Sequence, residues 1–401
     1  MIRKEKPNQH FCFRNIWETT GWLVSFALIP TGSNFPGLII LLGVRLYRWF
    51  KRKRHHTVES SNPWIVSWTN RLITAFLMVV VLSSLFSLYK ITSLAWSLGF
   101  LILFFVYTFG AQPYGYQTPA FLNGKYLPVL GISSAAVLIY SMAQYFLTHS
   151  PRAITFFCNY NGWATVLIIM TGLMMGYLVW RGGKFRYLLI PYFGLVLPVL
   201  FLTQSRGGWF GFASMLGIFS LFNRKMLVVV LIVILVSGCI ILGVPFLKDR
   251  FLSSFSSEQY LSRIYIWKAT IHMIQDYPIL GIGTGNYHTV YPQYRLPGSW
   301  ETEVSFAHNL FLEVAVEFGL IGLVLFCLFL LGIIYMGLSL ALTGNPIYQG
   351  VFAAFAGVLI HQQVDLPIWS IAIGGIFWMM VGLMMGMYRY ESGGKSGEAK
   401  G

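Results

Sequence analysis

The chain has 401 residues, 56% hydrophobic and 10% charged, with a net charge of +15 and a mean hydropathy of +0.65. A soluble domain this apolar would lack polar residues for its surface, so the composition excludes a water-soluble enzyme and indicates a polytopic membrane protein. Nor does the positive balance indicate a nucleic-acid partner, because the basic residues gather in short loops and no soluble segment interleaves them with aromatics.

A bilayer-spanning helix needs about 20 apolar residues. In chain order the apolar runs predict about twelve transmembrane helices, at 17–32, 36–50, 72–89, 92–110, 126–147, 162–180, 187–204, 207–222, 226–247, 319–342, 348–364 and 368–387. The second is short and reads as re-entrant with the first, since Pro30-Thr31-Gly32 and Phe35-Pro36-Gly37 leave little room for a loop. Residues 1–15 are polar and basic and lack a small-residue cleavage site, which argues against a removable signal peptide.

Charge bias orients the bundle, because Lys and Arg accumulate in cytoplasmic loops. An N-terminus inside the cell places Arg3, Lys4, Lys6, Lys51, Arg52, Lys53, Arg54, Arg181, Lys184, Arg186, Arg224, Lys225 and Arg389 on one face. An even number of spans returns the tail, with Lys395 and Lys400, to that face. The expected fold is therefore all-α, N-in and C-in. It divides into an N-terminal bundle at 1–247, an extracytoplasmic loop at 248–308, and C-terminal helices with a short cytoplasmic tail at 309–401. The basic run 51–56 reads as a topogenic loop contacting lipid headgroups. Tyr114, Tyr116 and Lys125 fall in inner loops and carry no recognisable chemistry. Cys12, Cys158, Cys239 and Cys327 have no spacing suited to metal or redox work and read as packing residues.

Polar chemistry concentrates on the outer side. Residues 248–308 are too long and too mixed in character for a connector. Ile264, Trp267, Ile271 and Ile274 recur at spacings of three and four, predicting a surface helix with one apolar face, stopped at Asp276-Tyr277-Pro278. The turn Gly281-Ile282-Gly283-Thr284-Gly285-Asn286 follows. Its glycines either present backbone N–H groups to an anion or merely reverse the chain. A second cluster, Thr203-Gln204-Ser205-Arg206-Gly207-Gly208-Trp209, separates two apolar runs. An arginine is costly inside the bilayer, so Arg206 marks an outer boundary, as an interface anchor beside Trp209 or as a ligand contact reached over the glycines. Arg152, near Asn159 and Asn161, also lies outside and is a weaker candidate for binding a sugar or headgroup. Late in the chain, His361 and Asp365 stand four apart and would share a helix face, fixing helix packing or serving a site.

Arg206, Arg263 and His308 come from three outer segments. Two guanidinium forks suit phosphate oxygens, and a histidine can take a proton from a hydroxyl near neutral pH. No Asp-rich motif for Mg²⁺ is present, so arginine rather than metal would hold the phosphates. The residues alone thus suggest group transfer from a lipid-linked phosphate donor, with no cofactor or metal.

His308-Asn309, nine residues, Gly319 and Gly322 resemble the signature of the O-antigen ligase and polymerase superfamily of bacterial membrane glycosyltransferases. Residues 203–209, and residues 263–267 with the Asp-Tyr-Pro and glycine-rich segments after them, resemble that family's other two blocks; the similarity covers roughly 203–365. The resemblance implies a GT-C-like fold and an inverting, metal-independent transfer in the inner (cytoplasmic) membrane. The glycan would pass from an undecaprenyl diphosphate carrier to an acceptor hydroxyl on a glycan, lipid or protein at the outer face. It assigns His308, Arg206 and Arg263 catalytic roles; Gln204, Ser205, Asn286, Asn309, His361 and Asp365, which lie in or beside the same outer segments, are the expected substrate contacts. The same superfamily includes cyanobacterial proteins described as bicarbonate transporters, so a small-anion transporter and a non-catalytic scaffold of glycan assembly are the alternative readings. His308 and the lack of an internal repeat or midplane charge ladder favour the transferase.

Overall fold

The computed structural model describes residues 20–34, 36–41, 43–44, 64–107, 126–156, 158–253 and 257–398. The N-terminal basic residues, Cys12, the run 51–56, Tyr114, Tyr116, Lys125 and Lys400 lie outside the described residues. The described chain is helical, with no named strand among the described residues. In order it forms α1 (Thr20–Thr31), α2 (Trp64–Phe86), α3 (Lys90–Phe105), α4 (Leu127–Leu147), α5 (Tyr160–Arg181), α6 (Leu189–Leu202) and α7 (Arg206–Phe222). Then come α8 (Leu227–Gly243), α9 (Pro245–Leu252), α10 (Ser257–Asp276), α11 (Tyr287–Tyr294), α12 (Leu310–Ala341), α13 (Pro346–His361) and α14 (Ile371–Glu398).

Among the described residues seven helices are long and apolar enough to cross a membrane, and α1, α3 and α13 are shorter apolar helices. The expected count of twelve is thus met only in part. Of the expected run at 36–50, residues 42 and 45–50 lie outside the described residues; Gly37 approaches Ser25 so closely that a Cβ would sit 2.3 Å from the Ser25 nitrogen. The chain therefore does fold back on α1.

The centre is α5, which is almost wholly buried and is gripped by α13 through glycine. A Cβ on Gly350 would lie 2.3 Å from the Gly172 carbonyl oxygen, and one on Gly176 would lie 2.7 Å from that of Pro346. Without a hydrophobic force between helices in lipid, such close backbone approach and the packing it permits hold the pair together. At one end of the bundle Gln349 donates to the carbonyls of Phe222 and Ala341, so the α7 and α12 C-termini meet the start of α13. Basic residues Arg181, Arg224 and Lys225 follow helices that finish at this end. The other end gathers the starts of α5, α7 and α12 and the end of α13: His361 bonds Thr165, and the Leu310 N–H donates to Gln362.

The segment α10–α11 forms a small second core over this end, built on Ile266, Ala269, Met273, Tyr287 and Tyr291. The helix stops at Asp276 as the Asp-Tyr-Pro sequence predicts. Its buried face is displaced by about one residue from the expected one. Ile266, Ala269, Thr270 and Met273 face inward, whereas Ile271 is exposed. The small Ala269 and Thr270 let α10 sit close, and Thr270 bonds Tyr287 across the interface.

Helix α12 departs most from expectation. It starts at Leu310, not at 319, and breaks at Gly319, whose φ of 69° and ψ of −177° are non-helical. The break frees carbonyls, and the glycine-rich turn fills it. Ile282 and Gly283 donate their N–H groups to the Val316 and Glu317 carbonyls, and Leu320 donates to Pro278. Ser83 of α2 adds a bond to the Glu317 carbonyl.

Candidate functional site

His308 lies in the left-handed region, φ 54°, immediately before α12. Asn309 caps that helix by accepting from the Phe311 and Leu312 N–H groups, as expected of Asn at an N-terminus. The Asn309 amide nitrogen reaches the Gln363 carbonyl at 3.1 Å, tying the start of α12 to the loop after α13. That loop carries Asp365, whose Oδ1 lies 3.3 Å from His308 Nδ1.

The expected pairing of His361 with Asp365 is corrected here. Helix α13 ends at His361, so residues 361 and 365 do not lie one turn apart on a continuing helix. His361 is fully buried and its Nδ1 bonds Thr165 of α5 at 3.0 Å, while Asp365 turns to His308. Burial alone would raise the Asp365 carboxyl, but the His308 hydrogen bond and the electrostatic influence of His308, His361 and Arg263 hold it below its ordinary value of 3.8. The carboxylate is ionised at neutral pH and only accepts, so Nδ1 carries the imidazole proton and Nε2 is left as the base.

The sign of the linkage follows. A carboxyl depressed by folding contributes stability that is complete above its ordinary pKa and is lost as pH falls through the lower folded value. Asp365→Asn is expected to lower thermal stability at neutral pH and to remove part of the acid-induced decline below about pH 4. Melting curves recorded across that range check both effects.

Arg263 lies in electrostatic range of Asp365, and further arginines adjoin it. Arg206, at the start of α7, is in electrostatic range of Arg250, Arg263 and Arg152. Arg263 is lowered by burial, a loss partly offset by Asp365 and Glu301. Arg250 is lowered by burial and by Arg152. These guanidinium groups remain cationic. Arg250 Nε donates to the Gln204 carbonyl at 3.3 Å, and Arg152 stacks 4.0 Å from the Tyr160 ring centre. Four cations, from the α4–α5 connection, α7, α9 and α10, thus form a chain of neighbours that reaches the His308–Asp365 pair through Arg263. Sequence reasoning named Arg206 and Arg263 for it, gave Arg152 a lesser place and missed Arg250.

Other expected site residues do different work. Gln204, also left-handed, donates to Pro151 at 2.9 Å, and Ser205 caps α7 by accepting from Gly208. The glycines after Arg206 let α7 press on its neighbours: a Cβ at Gly208 would meet Ala164 at 2.4 Å, and one at Gly207 would meet Val364 at 2.6 Å. Asn286 is fully buried and its amide nitrogen is bonded to Ser87 and Ile282. The glycine turn does offer an N–H to an acceptor, but the acceptor is one of the chain's own carboxyl groups. The Gly285 N–H donates to Glu317 Oε1 at 2.6 Å, and Trp369 Nε1 donates to Oε2 at 3.1 Å. Glu313 and Glu317, both fully buried, were missed; the available signal was two acids four apart inside an apolar run. No cluster of His, Cys, Asp and Glu suited to a metal occurs among the described residues.

Residues 191–327 match the family model described as O-Antigen ligase. The span contains Gln204, Ser205, Arg206, Arg250, Arg263, His308 and Gly319 but not His361 or Asp365. A provisionally named polysaccharide ligase of Rickettsia conorii is 24% identical over 364 residues, covering 82% of each chain. Another from Rickettsia felis is 25% identical over 334 residues, covering 78% of each. The chain is a membrane protein whose residues 191–327 match the O-antigen ligase family model.

Proposed function

We propose that the protein is a glycosyltransferase of the ligase or polymerase type, moving a glycan from an undecaprenyl diphosphate carrier to an acceptor hydroxyl at the outer face of the inner membrane. The observation that carries this reading is the His308–Asp365 pair beside a group of arginines. His308 Nε2 takes the acceptor proton as the hydroxyl oxygen attacks the anomeric carbon opposite the leaving diphosphate, giving inversion. The bond from that carbon to the phosphate oxygen breaks, and the electron pair leaves on the diphosphate, whose charge Arg206 and Arg263 stabilise. Arginine supplies the compensation that a metal provides elsewhere, so no cofactor enters the scheme. The positive-inside bias supports an N-in, C-in topology with 248–308 outside, and the GT-C-like architecture remains part of the same proposal. The three-part division at 247 and 308 is kept on the same grounds, with the α10–α11 core as the outer unit.

The test is transfer from a purified lipid-diphosphate-linked glycan in proteoliposomes without added metal. Arg263→Ala is expected to reduce kcat/KM by roughly 10²–10³-fold, and Arg263→Lys to recover only a small part because a point charge does not replace a bidentate fork. Undiminished transfer by both variants would remove the assignment.

A further inference from the structure

We propose that Glu313 is a positioning residue that holds His308 in its working conformation; this rests on the reading of His308 as the base. A left-handed backbone is rare for a residue with a side chain and persists where the surroundings over-determine it. Here Ala307, the residue before His308, is gripped through both of its peptide groups. Glu313 Oε2 accepts the Ala307 N–H at 2.6 Å, and the Ala307 carbonyl accepts from Trp267 Nε1 at 3.1 Å. The peptides after it are fixed by the Asn309 cap and by the Leu310 N–H donating to Gln362.

Each clamp ends on a different element. Trp267 lies one turn beyond Arg263 on α10, so the Ala307 carbonyl sets His308 against the helix that presents Arg263. Asn309 and Leu310 set it against the loop that presents Asp365. Glu313 closes the remaining side from within α12, and among the described residues it is the acceptor for the Ala307 N–H. The residue is fully buried, and its Oε1 has no hydrogen-bond partner among the described residues. Glu317, by contrast, has both oxygens engaged in joining the glycine turn to α12. A half-satisfied buried acid at an apolar helix position breaks a local rule of folding, and such breaks concentrate where a site needs them. The use of this one is to fix Ala307, and through it the ring that meets Asp365.

A group that acts only through His308 makes a specific prediction. In full-length purified protein, Glu313→Leu is expected to lower kcat by about 10–100-fold, as for a reacting group misplaced by about 1 Å, with the donor KM changed less than about twofold. Glu313→Gln keeps a carbonyl acceptor for Ala307 and is expected to restore most of the rate. In a His308→Ala background, Glu313→Leu should cause no further loss, the signature of groups acting as one unit. Losses that multiply, or an unimpaired Glu313→Leu enzyme, would overturn the proposal. Glu313→Asp, one methylene short of Ala307, replaces the leucine variant if that protein does not fold, with the same expected pattern. A readout independent of activity is the ¹⁵N resonances of the His308 ring, which report its bond to Asp365. They are expected to shift in Glu313→Leu and to stay in place in Glu313→Gln. Unchanged resonances in the leucine variant refute the positioning role even if no transfer is detected in wild type, whereas absent wild-type transfer refutes only the glycosyltransferase reading.

Discussion

His308→Ala is expected to lower glycan transfer by roughly 10²–10⁴-fold, the range over which a positioned general base contributes, while leaving the protein folded. The ring is partly exposed, with 24% of its side-chain surface accessible, and it bonds Asp365 through Nδ1. Removing it therefore opens no sealed cavity. The backbone at 308 is held by bonds from residues 307, 309 and 310, so alanine inherits the local conformation. Initial rates with a fixed lipid-linked donor, compared beside melting temperatures, separate the two effects. Retention of more than about a tenth of the wild-type rate would be incompatible with a base contributing within that range.

Gly319→Ala is expected to cost about 3–5 kcal/mol, combining a strained left-handed residue with overpacking, enough to deplete folded protein. An added Cβ would stand 2.1 Å from the Ile279 carbonyl oxygen and 2.6 Å from the Leu280 nitrogen. Those contacts are backbone and cannot yield by rotating a side chain. Because the turn from Pro278 to Gly285 fills the break, the damage should spread to α10–α11 and to the Glu317 bonds. Yield after detergent extraction and protection of the Gly283 and Gly285 amides from hydrogen exchange measure it. A stable Gly319→Ala protein with native protection would mean that the break is not required.

The residues legible in the sequence were those whose roles are set by the local backbone. A left-handed histidine, an Asn cap and a glycine break are all encoded within a dozen positions, so the spacing from His308 to Gly319 survives as a pattern. The helix boundary at Asp276 was legible for the same reason, since Asp-Tyr-Pro stops a helix from within. The partner of His308 was not legible, because Asp365 is 57 residues away and arrives only after α12 and α13 have packed. The four-residue spacing to His361 was misleading: it presumes helix where α13 has already ended. Likewise, the face of α10 was misjudged by one position because hydrophobicity favoured Ile271 over the small Ala269 and Thr270, which tertiary packing selected. Glu313 and Glu317 looked like isolated interruptions of an apolar run, and their meaning depended on N–H groups supplied by a loop over 20 residues earlier and by the residue just before the histidine.

The broken helix also sets a height. Residues 320–341 alone, at about 1.5 Å per residue, reach roughly 33 Å, which matches a hydrocarbon layer about 30 Å thick. On the proposed reading, residues 310–318 form a pedestal of up to about 13 Å that would lift the imidazole from the oily boundary toward the donor phosphates, so that a carrier lipid would not have to draw its charged head down into the membrane and an acceptor would not have to leave water.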